Sequence, residues 1–108
     1  MYAVIFEVEI YTENKQEYLD IAAELKKELT TFKGFISVER FQSLVTENKL
    51  LSLSFWESEE AILKWKSSLF HKEAQTKGRK NILSDYRISI AKVERSYTLA
   101  SSNFSSKS

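Results

Sequence analysis

The spacing of apolar residues switches repeatedly between the period of a strand and that of a helix, and the order of those switches leaves few folds open. Over YAVIFEVEI, residues 2–10, Val4, Phe6, Val8 and Ile10 recur at every second position. That is the spacing of a strand buried on one side. Tyr18, Ile21, Ala22, Leu25 and Leu29 then recur at helical spacing and form one apolar stripe. Phe35–Gln42 and Lys49–Trp56 return to strand-like runs, joined by residues 43–48, a length suited to an antiparallel hairpin. Ala61, Ile62, Trp65 and Leu69 form a second helical stripe. Residues 86–97 alternate as a last strand, with Ile88 and Ile90 on one face and Ala91 and Val93 on the other.

Local punctuation agrees with this order. Asn14 can cap the first helix, with Glu17 reaching back as in a capping box, and Lys33-Gly34 suits its C-terminal end. Ser58, followed by Glu59 and Glu60, suits the start of a second helix running to about Ser68. Residues 70–77 look helical again before Gly78 weakens the pattern. The sum is an α+β chain of ferredoxin-like β-α-β-β-α-β order, a four-stranded antiparallel sheet with both helices on one face. At 108 residues there is room for one core, predicted to span residues 1–97. The ending TLASSNFSSKS, residues 98–108, is Ser-rich and predicts a disordered tail.

Two helices cover one sheet face, so a monomer of this kind needs a polar second face. Here Ala3 and Ile5 stand opposite the main row of the first strand, and Leu51, Leu53 and Phe55 opposite Leu50 and Trp56 in the third. Phe35 and Phe41 likewise accompany Ile36 and Val38 in the second strand. A second copy of the chain is the simplest cover for such a face, and a homodimer is expected.

Composition removes several functions. Sixteen basic against fifteen acidic residues, net +1, lacks the excess that phosphate binding demands, so no nucleic-acid partner is expected. The chain has no cysteine, which rules out disulfides and thiolate metal sites. No apolar stretch approaches the roughly 18 residues of a membrane span, and no signal-like segment opens the chain, so a cytoplasmic location away from membranes is expected. No nucleophile elbow, phosphate loop, dinucleotide fingerprint or His-carboxylate cluster is present, and no metal site is expected.

FWESEEAILKWKSSLFHKEAQTKGRKNILSDYRISIAKVERSY, residues 55–97, resembles the antibiotic biosynthesis monooxygenase family. The match is sharpest in the H-x-x-A-Q-x-x-G-R string from His71 to Arg79 and in the Val93, Glu94, Arg95 ending. The resemblance implies a dimeric α/β barrel and oxygen chemistry on electron-rich aromatic or quinol substrates, in some members without metal or organic cofactor. Another branch degrades haem. It uses an Asn on the first strand and a His on the helix after the Trp, and the corresponding positions here read as Glu7 and Ala74, which speaks against haem degradation.

His71 is the one histidine of the chain and the side chain that titrates near neutral pH without perturbation, which makes it the candidate base for a phenol or quinol hydroxyl. It also has a structural reading, as a hydrogen-bonded residue near the junction of two helical pieces. Gln75 stands four positions on, on the same helical face, and Trp65, Phe70 and Trp56 are candidates to shape a substrate pocket, with Glu7 from the first strand. Trp65 fits a core position equally well. Gln75, Arg79, Tyr86 and Arg87, with Asp85, also suit a polar network tying the helix end to the last strand. The expected function is a cofactor-independent monooxygenase for a small aromatic or quinol compound. The rival is a non-catalytic, dimeric, small-ligand-binding or stress-related module.

Overall fold

A computed structural model describes residues 1–75 and 83–101, the side chains of 69–75 and 83 excepted. The elements are β1 (Tyr2–Ile10), a 3-10 turn (Thr12–Asn14), α1 (Lys15–Leu29), β2 (Phe35–Gln42), β3 (Lys49–Trp56), α2 (Glu59–Gln75) and β4 (Leu83–Lys92). They form one open antiparallel sheet in the order β2-β3-β1-β4, the α+β ferredoxin-like arrangement expected from the alternation. Among the described residues no helix is long and apolar enough to cross a membrane.

Register fixes the two faces. Val4 pairs with Ser54 and Ile90, and Val8 with Leu50 and Tyr86, so even-numbered residues of the three strands share one side. Both buried clusters lie there. One holds Val4, Leu29, Trp56, Ala61 and Ile62, and the other Val8, Ile10, Tyr18, Ala22 and Leu50. The helices therefore cover the even face, α1 over the second cluster and, through Leu29, one end of the first, and α2 over the rest of the first. Ala3, Ile5, Leu51, Leu53 and Phe55 stand on the odd face, Ile5 against Leu53 and Ala3 against Phe55.

Trp56 anchors the first cluster. Its indole is 0% exposed, its Nε1 donates to Ser54 Oγ at 2.9 Å, and Phe32 and Phe35 meet it edge-on at 6.5 and 5.3 Å. The hydrogen bond lets a polar nitrogen be buried without loss. Removing an indole of this size from water contributes on the order of 5 kcal/mol as an upper estimate.

The ends of the helices differ in part from expectation. Ser58 Oγ accepts from the Ala61 amide at 3.2 Å, as an N-cap should. Asn14 does not make the expected capping box. Its Nδ2 donates to Glu17 Oε2 at 3.3 Å, side chain to side chain, and its buried Oδ1 has no partner. The 3-10 turn ahead of α1 explains this, since it leaves Asn14 at ψ 7° and not in the extended backbone from which a cap reaches the first turn. α1 ends at Leu29, well before Gly34, because Thr30 and Thr31 hydroxyls donate to the carbonyls of Lys27 and Glu28 at 2.7 and 2.6 Å and satisfy the last turn. α2 is continuous to Gln75 and has no break near Ser68. β4 begins at Leu83, earlier than the expected residue 86, and ends at Lys92.

Gly34 serves packing. At φ 92° it occupies backbone space that side-chain-bearing residues rarely enter, and a Cβ there would stand 2.8 Å from Ala61 Cβ, so the first turn of α2 lies directly against the backbone just before β2. The hairpin between β2 and β3 is closed by Ser43, whose Oγ accepts from the amides of Val45 and Thr46 at 3.2 and 2.9 Å. Asn48 takes φ 63°, accepts from Ile10 N at 3.1 Å and donates from Nδ2 to Thr12 Oγ1 at 2.6 Å. Of the Ser-rich ending, residues 98–101 form a turn, and 102–108 lie outside the described residues. Gly34→Ala is expected to cost about 2 kcal/mol or more through backbone strain and overlap with Ala61, read as a lower urea midpoint with unchanged m.

Candidate functional site

The even face is not covered evenly. α2 rests on Trp56 through Ile62 and through Trp65, whose ring lies 5.7 Å from that of Trp56 at a tilt of 35°. Trp65 itself is half-buried, with Trp56 behind it. Towards β4, the same face carries Phe6 against Ile88 in register, then Tyr86, whose ring meets Phe6 edge-on at 6.1 Å. Phe6 and Ile88 are half-buried and Tyr86 is 54% exposed. Trp65, Ile88, Phe6 and Tyr86 thus mark out an apolar strip along β1 and β4, beside the part of the sheet that α1 seals.

This strip has the chemistry of a shelf for a flat, uncharged ring. Aromatic faces and edges offer dispersion and quadrupole contacts, and none of its four side chains carries a charge. Phe6 was expected only in the core row and Tyr86 only in a polar network. Their alternate exposure depends on which helix covers which end of the sheet, and no one-dimensional spacing specifies that.

The structure sorts the expected site residues as follows. Trp56 and Trp65 are neighbours, but Trp56 is sealed in the core and has no exposed surface of its own. Glu7 is on the odd face, opposite Arg87 and Leu51 in register, with Lys49 Nζ 3.6 Å from its Oε1. It shares no face with Trp65. The side chains of Phe70, His71 and Gln75 lie outside the described residues, as do Ala74 and Arg79. Position 71 follows Ile62 by nine residues along an unbroken helix, about two and a half turns. The expected polar network is divided, because Tyr86 and Arg87 are consecutive in β4 and so belong to opposite faces, while Asp85 Oδ1 accepts from the Tyr86 amide at 2.9 Å. A hollow of about 60 Å³ among Glu7, Glu9, Lys49, Asp85 and Arg87 is far smaller than a drug-sized ligand needs. Among the described residues no group of His, Cys, Asp and Glu is placed to hold a metal.

The antibiotic biosynthesis monooxygenase family model matches residues 1–77 of this chain. The chain belongs to that family. The match includes positions 71 and 75 and stops before Gly78 and Arg79, so it takes in all of the H-x-x-A-Q-x-x-G-R string except its closing G-R. A jasmonate monooxygenase of Pyricularia oryzae is 40% identical over 96 residues, covering 89% of this chain and 45% of the relative. This chain therefore spans less than half of that protein. The fold is shared with SnoaB, a cofactor-independent oxygenase from Streptomyces nogalater, at TM-score 0.70 and 12% identity, covering 88% of this chain and 94% of the other. It is shared equally with the heme-degrader MhuD from Mycobacterium tuberculosis, at TM-score 0.70 and 17% identity, covering 91% and 100%.

Beside the strip, under α1, the buried Tyr18 hydroxyl has its pKa raised from 10.0, because burial disfavours the phenolate more than the nearby Arg40 guanidinium favours it. Arg40 is held there by donating from Nη2 to the Ala22 carbonyl at 3.0 Å. A raised folded-state pKa means that the unfolded chain releases its proton first as pH rises. The stabilisation is then complete below the unfolded value of about 10 and falls above it. Tyr18→Phe is expected to flatten the stability loss that sets in as pH rises above about 10, measured as urea midpoint against pH.

Proposed function

We propose that this chain is a cofactor-independent monooxygenase for a small, ring-containing, electron-rich compound such as a phenol or quinol. The observation that carries this reading is the uncharged apolar strip of Trp65, Ile88, Phe6 and Tyr86 beside α2. Membership of a monooxygenase family and 40% identity to a jasmonate monooxygenase support it.

The chemistry balances without an added reductant for such substrates. A base takes the hydroxyl proton, and the anion makes a ring carbon electron-rich enough to reduce oxygen and bond to it. Loss of water from the resulting hydroperoxide leaves a ring carbonyl. One oxygen atom is kept, the other leaves as water, and the substrate itself supplies all four electrons. Trp65 would hold the ring, Phe70 and Gln75 would line the same site, and His71 would take the proton. Trp56 would set the position of Trp65 from behind. Glu7, on the odd face, would act from a second copy's side of the sheet or not at all.

The odd face supports pairing of two copies as a dimeric α/β barrel. Ile5, Leu51, Leu53 and Phe55 form an apolar patch that neither helix covers, and a self-complementary face serves both chains at once.

Oxygen uptake against a panel of phenols and quinols, with jasmonate included, tests the activity. Jasmonate is assayed with and without NADPH, since insertion into an aliphatic C–H bond needs two further electrons. His71→Ala is expected to lower kcat at least 100-fold with its circular dichroism intact. Uptake that is absent across the panel, or unchanged in that variant, sinks the proposed reaction or the assigned base respectively. Leu53→Lys is expected to turn a dimer of the 12.6 kDa chain into a folded monomer by native mass spectrometry.

A further inference from the structure

Between the two buried clusters a row of side chains crosses the whole sheet. Arg40 on β2 pairs with Ser52 on β3, Ser52 with Phe6 on β1, and Phe6 with Ile88 on β4. All four stand on the even face, and all four are half-buried. On the central strands the rows to either side, Val4 with Ser54 and Val8 with Leu50, are buried. The cover given by the helices is therefore thinner along this row, which continues the apolar strip from Ile88 and Phe6 to the β2 border.

The chemistry changes along the row. Ile88 and Phe6 are apolar, Ser52 brings a hydroxyl, and Arg40 brings a permanent positive charge. The guanidinium makes one bond to α1, its Nη2 donating to the Ala22 carbonyl at 3.0 Å. That carbonyl lies inside α1, where the helix supplies an amide donor of its own, so the bond positions the arginine and rescues no orphaned group. Among the described residues the rest of the donor fork has no acceptor, and no carboxylate stands within ion-pair distance of it. The nearby Tyr18 hydroxyl is uncharged at neutral pH. Ser52 Oγ likewise makes no hydrogen bond among the described residues, whereas Ser54 Oγ is taken by Trp56 Nε1. A half-buried cation without a counter-charge attracts an anion more strongly than a cation on the open surface does.

We propose that Arg40 sets the substrate class of this site: a ring-bearing carboxylic acid, bound as its anion. The ring rests on Phe6 and its neighbours in the strip, the arm of the acid follows the row across Ser52, and the carboxylate meets the Arg40 guanidinium. Strands about 4.8 Å apart put the Phe6 and Arg40 backbones roughly 10 Å from each other, which leaves room for a short arm between ring and charge. The planar fork of an arginine matches the two oxygens of a carboxylate. A single guanidinium with no second cation on the row suits one negative charge, where a phosphate dianion calls for more. The inference rests on the reading of the strip as the shelf for the ring, and it depends on no step with oxygen.

The test is calorimetric titration of the intact chain at pH 7 with benzoate, phenylacetate, 3-phenylpropanoate and jasmonate, each beside its methyl ester, which keeps ring and arm but not the charge. The expected result is an acid that binds about tenfold or more tighter than its ester. Arg40→Met, which keeps the apolar stem, is expected to remove that preference and leave the ester within about twofold, with Arg40→Lys in between because it keeps the charge without the fork. Esters that bind as well as their acids overturn the role of Arg40 and leave the shelf standing. A preference that survives in Arg40→Met overturns the assignment to this residue. No binding of any probe up to about 1 mM overturns both the acid and the shelf. Because the acid–ester comparison is made on the intact chain, it decides the substrate class even where a variant fails to fold. Binding that prefers the acid, with no oxygen uptake, leaves this inference standing and sinks the monooxygenase reading.

Discussion

The rest of the domain depends on the burial of one indole at the end of β3. Trp56 touches the turn after α1 through Phe32, the start of β2 through Phe35, and α2 through Ile62 and Trp65. Because Ser54 takes up its only polar atom, the ring can sit where no water reaches and still leave no polar group unpaired. α2 can come this close to the sheet only because Gly34 has no side chain to hold it off. The half-buried face of Trp65 is a consequence of that closeness. The ring that borders the candidate site is braced by the ring that closes the core.

The element order was readable from apolar spacing because each element buries one side, and burial writes its period into the sequence. β2 and β3 fall where that period places them. Helix ends were less readable. Several polar residues stand near each end, and which of them bonds to the backbone depends on local angles that no spacing encodes. Thr30 and Thr31 close α1 although Gly34 looked the better signal, and a 3-10 turn keeps Asn14 from capping. The continuity of α2 through residue 69 follows the same logic, because the serines near it weaken a helix only slightly when packing holds the first two turns.

The candidate site was partly legible. Trp65 and Trp56 stood out as large groups at core spacing, and the structure makes them neighbours. Glu7 could not be assigned to the correct side without the pairing of β1 with β3 and β4. The parity of a strand says which residues share a face, but not which face the helices take. Phe6 and Tyr86 form an edge contact between adjacent strands and so have no signature within either one.

β2 lies at one border of the sheet, and its pairing with β3 slips between Phe35 and Ser37. A slip of this kind bends the strand locally and spoils the even ladder of donors and acceptors that another backbone would need. Glu39 adds charge along the same border, and Asp85, Arg87 and Lys92 do so at the opposite one on β4. The molecule is thus unreceptive at both rims while its broad side is sticky. Such a surface favours contacts that close on themselves, and it gives a small protein a way to keep an apolar face without seeding fibrils.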